Sequence, residues 1–257
     1  MRNLIAVLLF SLLAACGGGG GSSGGGGSGG GGSGQSPSAP PTAAEAARLL
    51  TQATFGVTEA GIAQAQDQRI NGWITTQIAM PLPTLSHQAY VDAVAAANMG
   101  NFDSNTFYQS WWRQAITEPG QLRQRTAFAL SQIFVISLND PTLDARGVAS
   151  YYDMLQRNAF GNFRTLLEDV SLHPMMGRYL TFLANQKEDA AGTRTPDENY
   201  AREVMQLMTI GLVELNNDGT PRLDGTGAQI PTYTPADIAG LAKVFTGISW
   251  YNPTPTN

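Results

Sequence analysis

"QLRQRTAFALSQIFVIS", from Gln121 to Ser137, is the stretch that decides the fold. Leu122, Phe128, Ala129, Ile133 and Ile136 recur at helical spacing and share one side of an α-helix. Pro119-Gly120 ahead of it is a turn. The same pattern extends in both directions. Upstream, Thr42-Ala43-Ala44-Glu45 is a capping box, in which hydroxyl and carboxylate satisfy each other's free amides. The helix it opens runs through Leu49, Leu50 and Ala53 and stops at Gly56. Thr58 opens a second, with Ile62 and Ala65 on one face; Asn71-Gly72 is expected to break it before Trp73, Ile74 and Ile78. Pro81 and Pro83 end that stretch, 84–97 is helical, and Phe107, Trp111 and Trp112 sit on a helix running to about Glu118.

Downstream, 148–158, 162–172 and 174–184 read as short helices punctuated by Gly161 and Pro174. A polar loop, 185–196, precedes a helix over 197–210 that Gly211 suits as a C-terminal cap. Thr234-Pro235-Ala236-Asp237 starts a last helix with a cap, a first-turn proline and an early acid. Between them, Asp218-Gly219 is a hairpin signal with Leu223, Ile230 and Tyr233 flanking short strands. No strand–helix alternation occurs. The fold class is therefore mainly α: a multi-helix orthogonal globular domain with one small β-hairpin excursion near 212–233.

The 257 residues carry a net charge of -5 and no basic cluster, which removes the footprint of a nucleic-acid partner. Cys16 is the one cysteine, so neither an intrachain disulfide nor a cysteine-based zinc site exists. Two histidines, His87 and His173, leave little for a histidine-rich metal centre. No Gly-x-Ser-x-Gly elbow, phosphate loop, dinucleotide fingerprint or His-Glu-x-x-His helix is present, and no metal or cofactor is expected. His87, set among Ala, Gln and Tyr residues, reads as a surface position. Glu214–Gly219 matches the opening of a calcium loop poorly, because the first position is not Asp and Gly225 stands where the closing Glu belongs; a plain turn is the better reading. Trp111-Trp112 reads as a core aromatic with a wetter neighbour ahead of a carbohydrate platform.

"MRNLIAVLLFSLLAAC" reads as a secretory signal. Arg2 is the positive start, and Leu4 to Leu13 is an apolar run too short to span a bilayer. Leu13-Ala14-Ala15-Cys16 resembles the lipobox of bacterial lipoproteins, which implies acylation of the Cys16 thiol and cleavage before it. Gly17, in place of the Asp that signals inner-membrane retention, leans toward the outer membrane. Residues 17–41 are Gly/Ser-rich and bury no apolar area, so they form a tether of roughly 25–30 Å reach. The expected organisation is a signal peptide over 1–15, lipidated Cys16 and tether over 16–41, and a helical domain over 42–257.

"DENYAREVMQLMTIGL", from Asp197 to Leu212, concentrates the candidate chemistry. Glu198 and Arg202 are i,i+4 neighbours on the expected helix, as are Asn199 and Glu203, and Asp197, Glu198 and Glu203 lie near its positive end. Tyr200, Val204, Leu207 and Met208 form the apolar side. One reading is an ion-pair network that locks the helix to its neighbours through Arg123, Arg125, Arg157 or Arg178. The other is a polar pocket in which Glu198 or Glu203 acts as general base while Arg202 and Asn199 grip an anionic or sugar-like ligand. His173, before Pro174, is either a cap at a helix end or the acid–base companion of Glu203.

The ordered segments "ATFG", "LRQRTAFALSQIFVIS", "YYDMLQRNAFGNFRTLLEDVSLHPMMGRYL", "DENYAREVMQLMTIGLVELNNDG" and "PTYTPADIAGLAKVFTGISW" are very similar to the bacterial family called domain of unknown function 1800, over about residues 46–250. Where that family starts its motif Asn-Glu-Asn, this chain has Asp197-Glu198-Asn199. The resemblance implies an exported protein, often encoded beside another exported family, and brings no activity, cofactor or catalytic residue. It also implies a longer domain, so that Asn257 is expected to end a fragment. The expected function is a lipid-anchored binding or assembly partner at the bacterial cell envelope, with the membrane as one partner through Cys16. The alternative is an envelope hydrolase collecting His173, Glu198, Asn199, Arg202 and Glu203.

Overall fold

A computed structural model describes residues 39–250. The expected signal peptide, Cys16 and residues 17–38 of the expected tether lie outside the described residues; of 39–41, Pro41 is buried and its carbonyl accepts from Gln66 Nε2 (3.1 Å). The described chain is mainly α. In order come α1 (Ala43–Ala53), α2 (Glu59–Ala79), α3 (His87–Ala97), α4 (Ser104–Thr117), α5 (Gln121–Ile133), α6 (Ala145–Arg157), α7 (Phe163–Leu172), α8 (Pro174–Tyr179), α9 (Asn199–Glu203), a π-turn (Val204–Met208) and α10 (Pro235–Val244). None of the described helices is long and apolar enough to cross a membrane.

Local chemistry sets most helix starts. Thr42 and Glu45 form the expected capping box, and Thr234 and Asp237 form another ahead of Pro235. Thr58, Ser86, Asp103, Asp144 and Asn162 each accept an amide of the helix they precede. The break expected at Asn71-Gly72 is displaced. The chain turns at Arg69, where φ is 60° and ψ is 163°, and helix resumes through Gly72. Gly72 lies within the regular part, where its freedom is not used.

Helix α6 is the hub. Val148, Tyr151, Met154 and Leu155 are all buried, and α3, α4, α5, α7 and α8 pack around it. One cluster joins Phe134, Tyr151, Leu155, Val170, Met176, Phe182 and Tyr200, and a second joins Val91, Phe107, Val148 and Met175. A third, Ala46, Leu50, Ala65 and Trp73, holds α1 on α2, and a fourth, Ala201, Met205, Ile238 and Ala242, holds α10 on α9 and the π-turn. His87, expected at the surface, is 1% exposed. Its small and polar sequence neighbours hid a contact made by a distant helix.

The β-hairpin expected near 212–233 does not form. That segment has only isolated antiparallel bridges, Val213 to Pro231, Leu215 to Pro221 and Leu223 to Gln229. The physical reason is a closed triangle of backbone hydrogen bonds. Glu214 N–H donates to Ile230 (2.9 Å), Ile230 N–H to Arg222 (3.1 Å), and Arg222 N–H to Glu214 (2.8 Å). Three arms around one centre meet at single residues, so no two run side by side far enough to make a ladder. Two turns close the arms. Asp218 accepts from Thr220 N and Oγ1, and Asp224 accepts from Thr226 N and Oγ1. These bonds hold both carboxyls below the usual carboxylate range.

Candidate functional site

The stretch 197–212 starts as α9 and widens after Glu203 into the π-turn. Thr209 Oγ1 donates to the carbonyl of Val204 (2.6 Å), and Gly211, at φ 74°, returns its N–H to Met205 (2.9 Å). Gly211 thus closes the helix, as its sequence position implies, in a conformation that side chains disfavour. Such wide turns recur at functional sites.

The candidate residues divide among different tasks. Asp197 pins the entry: its N–H donates to Asn185 Oδ1 (3.0 Å), and its carboxylate accepts from Asn199 N–H (2.8 Å) and Thr181 Oγ1 (3.1 Å). Glu198 and Arg202 pair at 3.1 Å with side chains nearly half exposed, a geometry worth little in water. Asn199 Nδ2 reaches Thr181 Oγ1 at 3.4 Å. Tyr200 is fully buried. It shares a 2.6 Å hydrogen bond with Ser171, stacks on Phe182 at 4.3 Å, and its phenol pKa is pushed up to about 12 by burial. Glu203 differs from all of these. Its Oε2 is buried and has no hydrogen-bond partner among the described residues.

Of the four arginines expected to tie this cluster to its neighbours, three hold carbonyls elsewhere. Arg123 donates to the carbonyls of Gln156 (3.1 Å) and Met80 (3.1 Å), Arg125 to Gln52 (3.2 Å), and Arg178 to Thr142 (2.7 Å). Arg157 makes no salt bridge to Glu198 or Glu203. Guanidinium groups here close loop and helix-end carbonyls, which a charge count along the sequence does not distinguish from ion pairing.

His173 sits between α7 and α8. Its Nδ1 accepts the N–H of Met175 (3.2 Å), so Nε2 carries the proton and donates to Ser150 Oγ (3.3 Å). Its side chain therefore caps the start of α8, while its backbone N–H donates to the carbonyl of Val170 (3.3 Å) at the end of α7. Burial, with Arg157 adding repulsion, lowers its pKa to about 4, so it is neutral at pH 7. No hydrogen bond joins it to Glu203 among the described residues. Of three clefts among the described residues, none is lined by Asp197, Glu198, Asn199, Arg202 or Glu203. Among the described residues no group of three or more His, Cys, Asp or Glu side chains is placed to hold a metal ion.

One buried polar assembly leaves no mark in the sequence pattern. His87 Nδ1 meets Ser110 Oγ at 2.9 Å, and its Nε2 meets Gln156 Nε2 at 2.9 Å. Gln156 Nε2 also reaches Gln114 Oε1 (2.7 Å) and Gln124 Oε1 (3.0 Å), and all of these side chains are buried. Burial chiefly, and Arg113 secondarily, lower the His87 pKa to about 3. A neutral imidazole in this place specifies the packing of four helices.

Around the triangle of 212–232 three leucines stand exposed among polar residues. Leu212, Leu215 and Leu223 are 56%, 56% and 58% exposed, and on the π-turn side Leu207 and Ile210 are 65% and 54% exposed. Glu214 and Arg222, whose backbones form two corners of the triangle, pair through their side chains. In extended chain, consecutive side chains alternate. Leu215 and Leu223, each one residue beyond a corner, therefore share the side opposite that ion pair. The wider stretch 197–243 is acidic, with seven Asp and Glu residues against three Lys and Arg.

A mainly helical domain with a hydrogen-bonded projection that exposes leucines in an acidic stretch is the class these features define. The chain belongs to the family described as "Protein of unknown function (DUF1800)", whose model matches residues 48–257. No curated protein and no solved structure matches it.

Proposed function

We propose that this protein is a binding or assembly partner at the bacterial cell envelope, lipid-anchored through Cys16 in the outer membrane. The observation that carries the reading is the 212–232 knob: three backbone bonds fix it, yet its leucines face water. Monomeric surfaces seldom keep several large apolar residues together on a rigid projection without a use for them. The acidic surroundings select the occupant: a protein surface whose apolar contacts are flanked by Lys or Arg. The family resemblance implies a gene for another exported protein nearby, and such an exported neighbour is the first partner to test. Hydrolysis at Glu203, the other reading, draws support from its unpartnered oxygen beside the π-turn. It gains none from His173, whose ring nitrogens are both engaged elsewhere.

Two experiments test the proposal. Cells fed labelled palmitate label the wild-type chain and not a Cys16→Ala variant; equal labelling of both contradicts the anchor. The full chain, co-produced with the exported neighbour, elutes with it as one species, and Leu215→Glu with Leu223→Glu separates them while leaving the melting temperature unchanged. Retention of the complex by that double variant contradicts the knob as the contact.

A further inference from the structure

Helix α4 keeps one apolar face in water. Tyr108, Trp112 and Ile116 are 46%, 58% and 71% exposed. Their spacing of four residues stacks them into one stripe about 12 Å long. The opposite side of the helix, with Phe107, Ser110, Gln114 and Ala115, is buried. The remaining exposed positions of α4 are Asn105, Gln109 and Thr117, none of them charged.

Two guanidinium groups stand near the stripe. Arg113 follows Trp112 in the chain and lies 3.7 Å from Glu118. Arg125 lies over Phe55 (5.1 Å) and Phe128 (5.9 Å), and both rings meet Trp111, which packs edge-on against Trp112 at 4.9 Å. Arg125 has no carboxylate within salt-bridge distance among the described residues. Asp103, the acid at the start of α4, is engaged as its N-cap. The chain that leads into the domain enters close by. Helix α1 spans about 16 Å from its capped start. Phe55, just past its end, meets Trp111 at 5.4 Å. The stripe is thus roughly 20 Å from the point of entry, within the roughly 25–30 Å reach of the Gly/Ser-rich stretch.

We propose that the Tyr108–Trp112–Ile116 stripe lies in the headgroup layer of the bilayer that anchors the chain, an inference that rests on the lipid-anchored reading above. Tyrosine and tryptophan suit that depth, because their rings favour the acyl boundary while the hydroxyl and indole N–H stay with water and headgroups. Arg113 and Arg125 supply the charge that lipid phosphates take up. A protein partner fits the face less well. About half of each of the three side chains is free, which offers roughly 300 Å². A stable protein interface takes about 800 Å² from each side. A bilayer needs no such area, because a tether of this length already holds the stripe beside it at an effective concentration on the order of millimolar. The contact fixes the orientation of the domain on its membrane.

The test couples the full chain through Cys16, its one thiol, to a maleimide phospholipid in vesicles of phosphatidylethanolamine and phosphatidylglycerol. The contact is then read whether or not cells acylate the thiol, so a failed palmitate label counts against the natural anchor and this readout against the stripe. The tryptophans are Trp73, Trp111, Trp112 and Trp250. With bromine on the lipid acyl chains, wild-type fluorescence falls by about a quarter, the share of one tryptophan in four seated at the acyl boundary. Trp112→Phe loses most of that fall and Trp250→Phe keeps it. Tyr108→Ser with Ile116→Ser, both at exposed positions, retains Trp112 and at least halves the fall. Fluorescence unchanged by bromine, an equal fall in Trp112→Phe, or an undiminished fall in the Tyr108 and Ile116 double variant overturns the inference.

Discussion

The carboxylate of Asp153, in α6, accepts the backbone N–H of His87 at the first turn of α3 (2.8 Å). Its other oxygen takes the N–H of Gln88 (2.9 Å), while Ser86 Oγ takes that of Ala89 and the Ser86 carbonyl that of Tyr90. Three of the amides that this helix start leaves free are thus satisfied, two of them by another helix. Asp153→Ala removes both charge-assisted bonds and leaves two amides without partners. It is expected to cost about 2–4 kcal/mol, read as a lowered urea midpoint with unchanged m-value.

Acid is expected to destabilise the domain before its carboxylates titrate. His87 and His173 have folded pKa values of about 3 and about 4, both below the ordinary 6.5. The unfolded chain binds a proton at each site first, so stability falls as pH drops from 6.5 toward those values. Each histidine contributes a slope of about 1.4 kcal/mol per pH unit between pH 6 and pH 4.5. His87→Gln retains an amide in the assembly and cannot charge. Urea melts at pH 6 and 4.5 should show about half the wild-type slope for that variant. An equal slope would show that the buried imidazole does not govern the response.

Glu203 holds an unpartnered buried oxygen at the mouth of the π-turn. Such an atom loses its water and gains nothing in return. Glu203→Met keeps the length of the side chain and removes the oxygen, and is expected to raise stability by about 1–2 kcal/mol. Calorimetry reads this as a higher Tm. A lower Tm would mean that the carboxylate has a stabilising role its surroundings do not display.

The helices were legible because their signals are local. Thr42 with Glu45, Thr234 with Asp237, and Gly211 each act within a few residues, and each stands where the sequence puts it. The features that local signals do not encode depend on distant chain. His87 looks like surface until α6 brings Asp153 and Gln156 against it. The turn at Arg69 precedes the Asn71-Gly72 pair that advertises one. The 212–232 segment has hairpin residues, but the pairing of Glu214 with both Arg222 and Ile230 converts them into a triangle. Within the candidate cluster the Glu198–Arg202 pair follows from helical spacing, whereas the burial of Glu203 Oε2 comes from packing that no spacing rule encodes.

Hydrogen–deuterium exchange on the full chain, alone and with the exported neighbour that the family resemblance implies, is the most direct measurement of the assembly reading. The account expects amides of 204–224 to slow by at least tenfold in the complex, while those of α3 and α6 stay as they were. Slowing confined to other segments, or none at all with partner in excess, would contradict it.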